Sequence, residues 1–127
     1  MIVLDASAIS FALLDEGAIG DRCRAALHAD SQWVVPEHWL IEVLSVIRGN
    51  LIEGKIAPAH AAAAAEMNPV VAHTRVIASR IWELRDKLKT YDAAYAATAE
   101  HYRCALVTTD GRLARATSIR CPVTLIS

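Results

Sequence analysis

The chain has 127 residues, 54% of them hydrophobic and 21% charged, and a formal net charge of -1. That length suits one domain with a full core, and the balance excludes a disordered tail or linker. Net charge does not mark a nucleic-acid binder, yet the acids cluster in residues 1–37 and the bases after residue 75, so a local basic face is open.

No apolar run reaches the ~18–20 residues that span a bilayer. The opening Met1–Leu4 stops at Asp5 without a basic leader, so it reads as structure and not as a signal peptide. A soluble, cytoplasmic domain is expected, occupying residues 1–127. Cys23, Cys104 and Cys121 are odd in number and lack CxxC spacing, which argues against a disulfide framework or a zinc site. The five histidines never pair at helical ligand spacing and are given no metal role.

Met1–Leu4 predicts a strand buried on both faces. Asp5-Ala6-Ser7 offers side-chain oxygens to cap a helix over Ala8–Leu14. A second helix is predicted from Ile19 to His28, then a strand at Trp33–Val35 ended by Pro36. Trp39 to about Glu53 predicts a helix, and Pro58 suits the first turn of another, through the Ala61–Ala65 run to Met67. A strand follows at Pro69–Ala72. Val76–Leu88 predicts a helix whose Val76, Ile77, Ile81, Leu84 and Leu88 form a core-facing stripe. Then come a helix from Ala93 to about His101, a strand at Ala105–Val107, a short helix at Arg112–Ala116 and a last strand at Val123–Ile126.

Short apolar strands alternating with helices predict an α/β fold, three layers α/β/α, with a central parallel sheet of about five strands. In such sheets the ligand site lies beyond the carboxyl ends of the strands. Asp5 and Asp110 directly follow the first and fourth strands, so they are the acids to examine. Each also has a plain structural role, as helix cap or Asp-Gly turn. Asp92, in a first helical turn, complements the macrodipole. Glu42 interrupts an apolar stretch, where a buried, uncompensated carboxylate costs several kcal/mol. Either its helix turns it to solvent or a cation sits opposite. Converging acids with no lysine beside them suit a hard divalent cation bound through oxygen.

Asp5-Ala6-Ser7 after a strand, Glu42 in an apolar helix, Tyr91-Asp92-Ala93-Ala94-Tyr95 opening a helix and Thr108-Thr109-Asp110 after the fourth strand together resemble the PIN-domain ribonucleases. More narrowly, they resemble the VapC toxins of bacterial VapBC toxin–antitoxin modules. The resemblance spans essentially the whole chain. It implies a Mg2+- or Mn2+-dependent endoribonuclease that leaves 5′-phosphate and 3′-hydroxyl ends. It further implies that Asp5, Glu42, Asp92 and Asp110 form the metal-binding catalytic quartet, with Asp5 and Asp92 the principal ligands. Glu42 would act through water or as general base, and Asp110 would complete a second metal position. Ser7 and Thr109 match the supporting hydroxyl residues, an assignment that rests on them more than on Thr108.

For RNA binding, Arg112 has the best position, with Arg48 and Arg85 as further candidates; a solvated helix face is the competing reading of each. The resemblance also implies a VapB-type antitoxin that inserts a basic side chain among the acids, and a homodimer. Trp39, Leu51 and the alanine-rich helix are candidates for either apolar surface, with core burial the default for Trp39. A haloacid-dehalogenase-type enzyme would need a second Asp where Ser7 stands, and a receiver domain would need an early acidic pair and a later lysine. The standing alternative is a catalytically silent PIN-like module that binds RNA or protein; a DNA-directed nuclease ranks third.

Overall fold

The structure, a computed structural model, describes residues 1–127. Five strands, β1 (Ile2–Leu4), β2 (Trp33–Pro36), β3 (Val70–Ala72), β4 (Ala105–Thr108) and β5 (Val123–Leu125), form one sheet. The order is β3-β2-β1-β4-β5 and every pair is parallel. Val3, Leu4, Val34, Val35, Leu106 and Val107 are all buried, which is why these strands read as continuous apolar runs: helices cover both faces.

One layer holds α1 (Ala6–Leu14), α2 (Ala18–Ala29), α3 (Trp39–Ile52) and α4 (Ala59–Glu66), which pack on one another. The other holds α5 (Thr74–Glu83) and α6 (Thr90–Tyr102), with α6 lying across β1, β2 and β4. A short α7 (Gly111–Ala114) links β4 towards β5. Ala93, Ala94, Ala96, Ala97 and Ala99 of α6 are all buried. Their small volume lets the helix sit close to the sheet on one side and α5 on the other. Ile77 packs on Ala94 and Ala97 while Arg80 bonds Glu100, so α5 and α6 advance side by side in the same direction.

The boundary of α5 corrects the sequence reading. The helix runs Thr74–Glu83, not Val76–Leu88, and Val76 is 55% exposed, outside the predicted stripe. The apolar periodicity continues because Leu84 is buried and Leu88 packs on the core, but both get there through turns. Arg85 Nη1 donates to the Trp82 carbonyl at 2.8 Å, satisfying an acceptor that a continuing helix would have used. With α6 as its main neighbour, α5 needs only a narrow buried face. Trp39 is buried as expected, while Leu51 is exposed.

Arg80 ties the α5 layer to the far edge of the fold. Its guanidinium donates to Glu100 at 2.7 and 3.3 Å, to Glu83 at 3.1 Å and to the Ser118 carbonyl at 2.9 Å. A lysine carries no such fork. Arg80→Lys is therefore expected to lower unfolding free energy by about 1–2 kcal/mol in urea titration; no change would mean that the network is energetically slack.

The chain leaves β1 towards β2 and β3, then returns to the other side of β1 for β4 and β5. The switch point is the crevice beyond the carboxyl ends of β1 and β4, where neighbouring connections diverge and open sheets place their ligands.

Candidate active site

Register decides what meets in that crevice. Leu4 pairs with Val107, and the Asp5 N–H continues the ladder to the Val107 carbonyl at 3.0 Å. The next residues on each strand, Asp5 and Thr108, are thereby placed side by side. Asp5 is 5% exposed, and its Oδ2 accepts from Thr108 Oγ1 and Ser7 Oγ, both at 2.7 Å. Those hydroxyls are themselves held. The Asp110 N–H donates to Thr108 Oγ1 at 3.0 Å and the Thr109 N–H to Ser7 Oγ at 3.2 Å. Each hydroxyl thus accepts from the backbone and donates to the carboxylate, a chain in which every bond polarises the next. Asp5 makes no side-chain cap on α1, so its carboxylate is reserved for this cluster. Thr109 enters through its N–H; Thr108 supplies the second hydroxyl.

Glu42 reaches the same region from the first turn of α3. It is partly exposed, and its Oε1 accepts from the Tyr95 hydroxyl at 2.9 Å. His38 Nε2 lies 2.7 Å from that oxygen, off the line an imidazole N–H needs to donate. Burial, then the Glu42 charge, push the Tyr95 phenol above its usual range, which keeps its hydroxyl a donor. Glu42 is therefore not simply turned to water, and no Lys or Arg side chain lies within salt-bridge distance of it. His38 and Tyr95, absent from the sequence-derived site, hold it.

Asp92 sits in the first turn of α6, and Asp110 caps α7 by accepting from the Arg112 N–H at 2.9 Å through Oδ1. Asp92 keeps its expected place in a first turn, while Asp110, expected to start an Asp-Gly turn, caps α7 instead; neither role uses up the carboxylate. Asp5, Glu42 and Asp110 each commit one oxygen to these bonds and have the other free of them. Burial raises the Asp92 carboxyl above 3.8, and the charges of Asp5, Asp110 and Glu42 add to it. Burial likewise raises Asp5, against the lowering effect of Thr108 and Ser7. The four acids thus share one field.

No three His, Cys, Asp or Glu side chains are gathered closely enough to ligate one ion as they stand. The donor set nonetheless fits a hard divalent cation: oxygen only, spare carboxylate atoms, and raised carboxyls that a positive charge would relieve. Magnesium needs just one or two carboxylates and keeps its remaining waters.

A pH dependence follows from the sign of these shifts. A carboxyl raised on folding opposes folding above its folded value, and the penalty fades as pH falls towards 3.8. Without added cation, Asp92→Asn is expected to raise Tm by a few degrees at pH 7, the charge repulsion outweighing the lost macrodipole contact. The gain should shrink as the pH is lowered towards 4. A gain that grew on acidification would contradict the shared field.

Of the arginines, Arg112 is exposed at the rim beside Asp110, and Arg48 is exposed on α3. Arg85 lies past the end of α5 with its guanidinium 4.7 Å from the Trp82 ring centroid, engaged away from the acids.

Residues 2–118 match the family model described as PIN domain. Ribonuclease VapC9 of Mycobacterium tuberculosis is 36% identical over 130 residues, covering 99% of this chain and 98% of the relative. Ribonuclease VapC3 of the same organism is 35% identical over 127 residues, covering 91% and 86%. The crystal structure of M. tuberculosis VapC20, a sarcin-ricin loop cleaving toxin, superposes with a TM-score of 0.69 at 18% identity, covering 89% of this chain and 92% of that one. That likeness speaks to the shared fold; the two sequence relatives and the family match go further. With this sheet order, this placement of acids and these relatives, the chain belongs to the PIN-domain family, as one of its VapC-type toxin ribonucleases.

Proposed function

We propose that Asp5, Glu42, Asp92 and Asp110 form a divalent-cation centre, Mg2+ or Mn2+, at which RNA phosphodiester bonds are hydrolysed. The observation that carries this reading is the mutual charge influence of four acids at the switch point, two with raised carboxyls and none within salt-bridge distance of a Lys or Arg side chain. Asp5 and Asp92 would hold the cation, with Asp110 beside them. When bound, the cation supplies positive charge to the scissile phosphate and makes water a better nucleophile.

The chain's own groups do the rest. Ser7 and Thr108 fix Asp5 through Oδ2, which leaves Oδ1 without a side-chain donor. Tyr95 and His38 fix Glu42 through Oε1, leaving Oε2 to take a proton from the attacking water. That water displaces the 3′-oxygen, so the products carry 5′-phosphate and 3′-hydroxyl ends. Arg112 stands at the rim for a flanking phosphate, with Arg48 as a second contact; Arg85 is the weakest of the three.

The reading extends to the protein's setting. It acts in the cytoplasm as a single domain and a homodimer, paired with a VapB-type antitoxin. A basic side chain of that partner, placed among the four acids, would substitute for the cation's charge and silence the site. No helix is long and apolar enough to cross a membrane.

The test is cleavage of structured and unstructured RNA by purified, antitoxin-free protein in Mg2+, in Mn2+ and in EDTA. Cutting that EDTA stops and fresh cation restores, with 5′-phosphate products, is expected. Cutting that persists in EDTA, or leaves cyclic 2′,3′-phosphate ends, would rule out the proposed chemistry.

A further inference from the structure

We propose that Tyr91, backed by His38, is a stacking platform for an unpaired RNA base flanking the scissile phosphate. This rests on the reading of the acids as an RNA-cleaving centre, and goes beyond it by naming what positions the substrate.

The Tyr91 ring stacks on the His38 imidazole with centroids 4.8 Å apart and planes 23° from parallel. Even so, Tyr91 is 61% exposed. One ring face is backed, and most of the side chain is open. The backing is itself rigid: His38 meets the fully buried Tyr95 edge-on at 5.1 Å and touches Glu42 at 2.7 Å. A ring held in this way loses little freedom when something stacks on it, which is what makes an aromatic side chain a good anchor. Trp82, the other highly exposed aromatic, already has the Arg85 guanidinium over its ring. Tyr91 has nothing comparable on its outer side.

Position supplies the second half of the argument. Tyr91 immediately precedes Asp92, and His38 contacts Glu42, so the stacked pair borders the cluster where α3 and α6 meet. Four carboxylates repel a second anionic group from that border. A neutral, planar base meets no such penalty and gains from the π-face. A base held in a duplex stack cannot offer that face, so the platform selects nucleotides that are single-stranded or splayed out of a loop.

The experiment compares Tyr91→Ala, Tyr91→Phe and Tyr91→Trp with wild type, using single-stranded RNA in Mg2+ and recording kcat and KM separately. Tyr91→Ala is expected to raise KM by about 5- to 160-fold, the range for loss of one base–aromatic stack, with kcat within about threefold of wild type. Tyr91→Phe and Tyr91→Trp should keep KM near wild type, since each retains the π-face. An independent readout uses single-stranded RNA carrying 2-aminopurine, whose fluorescence is quenched on stacking. Quenching is expected with the Asp5→Asn protein in Mg2+ and lost when Tyr91→Ala is added.

A KM unchanged in Tyr91→Ala, or a fall in kcat alone, would assign Tyr91 to supporting Asp92 and overturn the platform. Equal loss in the Phe and Trp variants would also overturn it. If wild type cleaves no RNA, the catalytic reading fails separately. The quenching titration, run on wild type against Tyr91→Ala, then decides the platform alone.

Discussion

Asp5→Asn is expected to abolish RNA cleavage, lowering kcat by on the order of 10^3-fold, while the fold stays intact. The magnitude follows from the several kcal/mol that a correctly held cation contributes to the transition state, at tenfold per 1.36 kcal/mol. The substitution keeps shape and an amide oxygen, so the Ser7 and Thr108 hydroxyls retain an acceptor. It deletes the charge that burial already disfavours. Thermal stability without cation should therefore hold or rise, as happens when a site strained for function is relaxed. Wild type should gain stability from added Mg2+, by about 2.7 kcal/mol at a hundred times its Kd, and Asp5→Asn should lose most of that gain. Activity loss accompanied by unfolding would instead mark Asp5 as a structural acid. The checks are steady-state cleavage and thermal melts with and without Mg2+.

Gly20→Ala is expected to be among the most destabilising single-methyl changes in the chain. Alanine ordinarily stabilises a helix relative to glycine by about 0.8–1.0 kcal/mol. Here a Cβ would lie 2.0 Å from the Asp15 carbonyl oxygen and 2.8 Å from its carbon, both backbone atoms. The Gly20 N–H meanwhile donates to Asp15 Oδ2 at 2.7 Å, which pulls α2 onto the end of α1. Relieving the overlap means moving one helix against the other, at a cost of about 3 kcal/mol or more. Gly49, in α3, has no neighbour within 4 Å of the same added atom. Gly49→Ala should thus stabilise by about 0.5–1 kcal/mol. Denaturant titration of the two variants tests the contrast. Effects of the same sign would show that helix propensity, not the α1–α2 approach, governs both positions.

Particular residues show why some of this was legible before the structure and some was not. The strands stood out because a sheet covered on both faces needs apolar side chains in succession, as at Val34-Val35 and Ala105-Leu106-Val107. The acids stood out because each follows a strand or opens a helix, and the parallel alternation turns chain position into place in space. Glu42 was visible as a charge among apolar neighbours. Most partners of these acids were not visible. Whether Thr108 or Thr109 lends its hydroxyl to Asp5 depends on the pairing of Leu4 with Val107, and a shift of one residue would exchange them. His38, four residues before Glu42, stands at helical spacing and was there to be read. Tyr95 reaches Glu42 only because the starts of α6 and α3 meet, a long-range contact that no local pattern encodes. The end of α5 was missed for a related reason. Leu84 and Leu88 keep a helical spacing while reaching the core through turns, so periodicity alone could not place the break.

The most direct test of the central claim is anomalous diffraction from crystals of the antitoxin-free protein soaked in Mn2+. Convergence of the four acids on a cation predicts an anomalous peak beside Asp5 and Asp92, weakened or lost in Asp5→Asn crystals. Saturating Mn2+ with no peak in the crevice, or with the peak bound elsewhere and unaffected by Asp5→Asn, would contradict it.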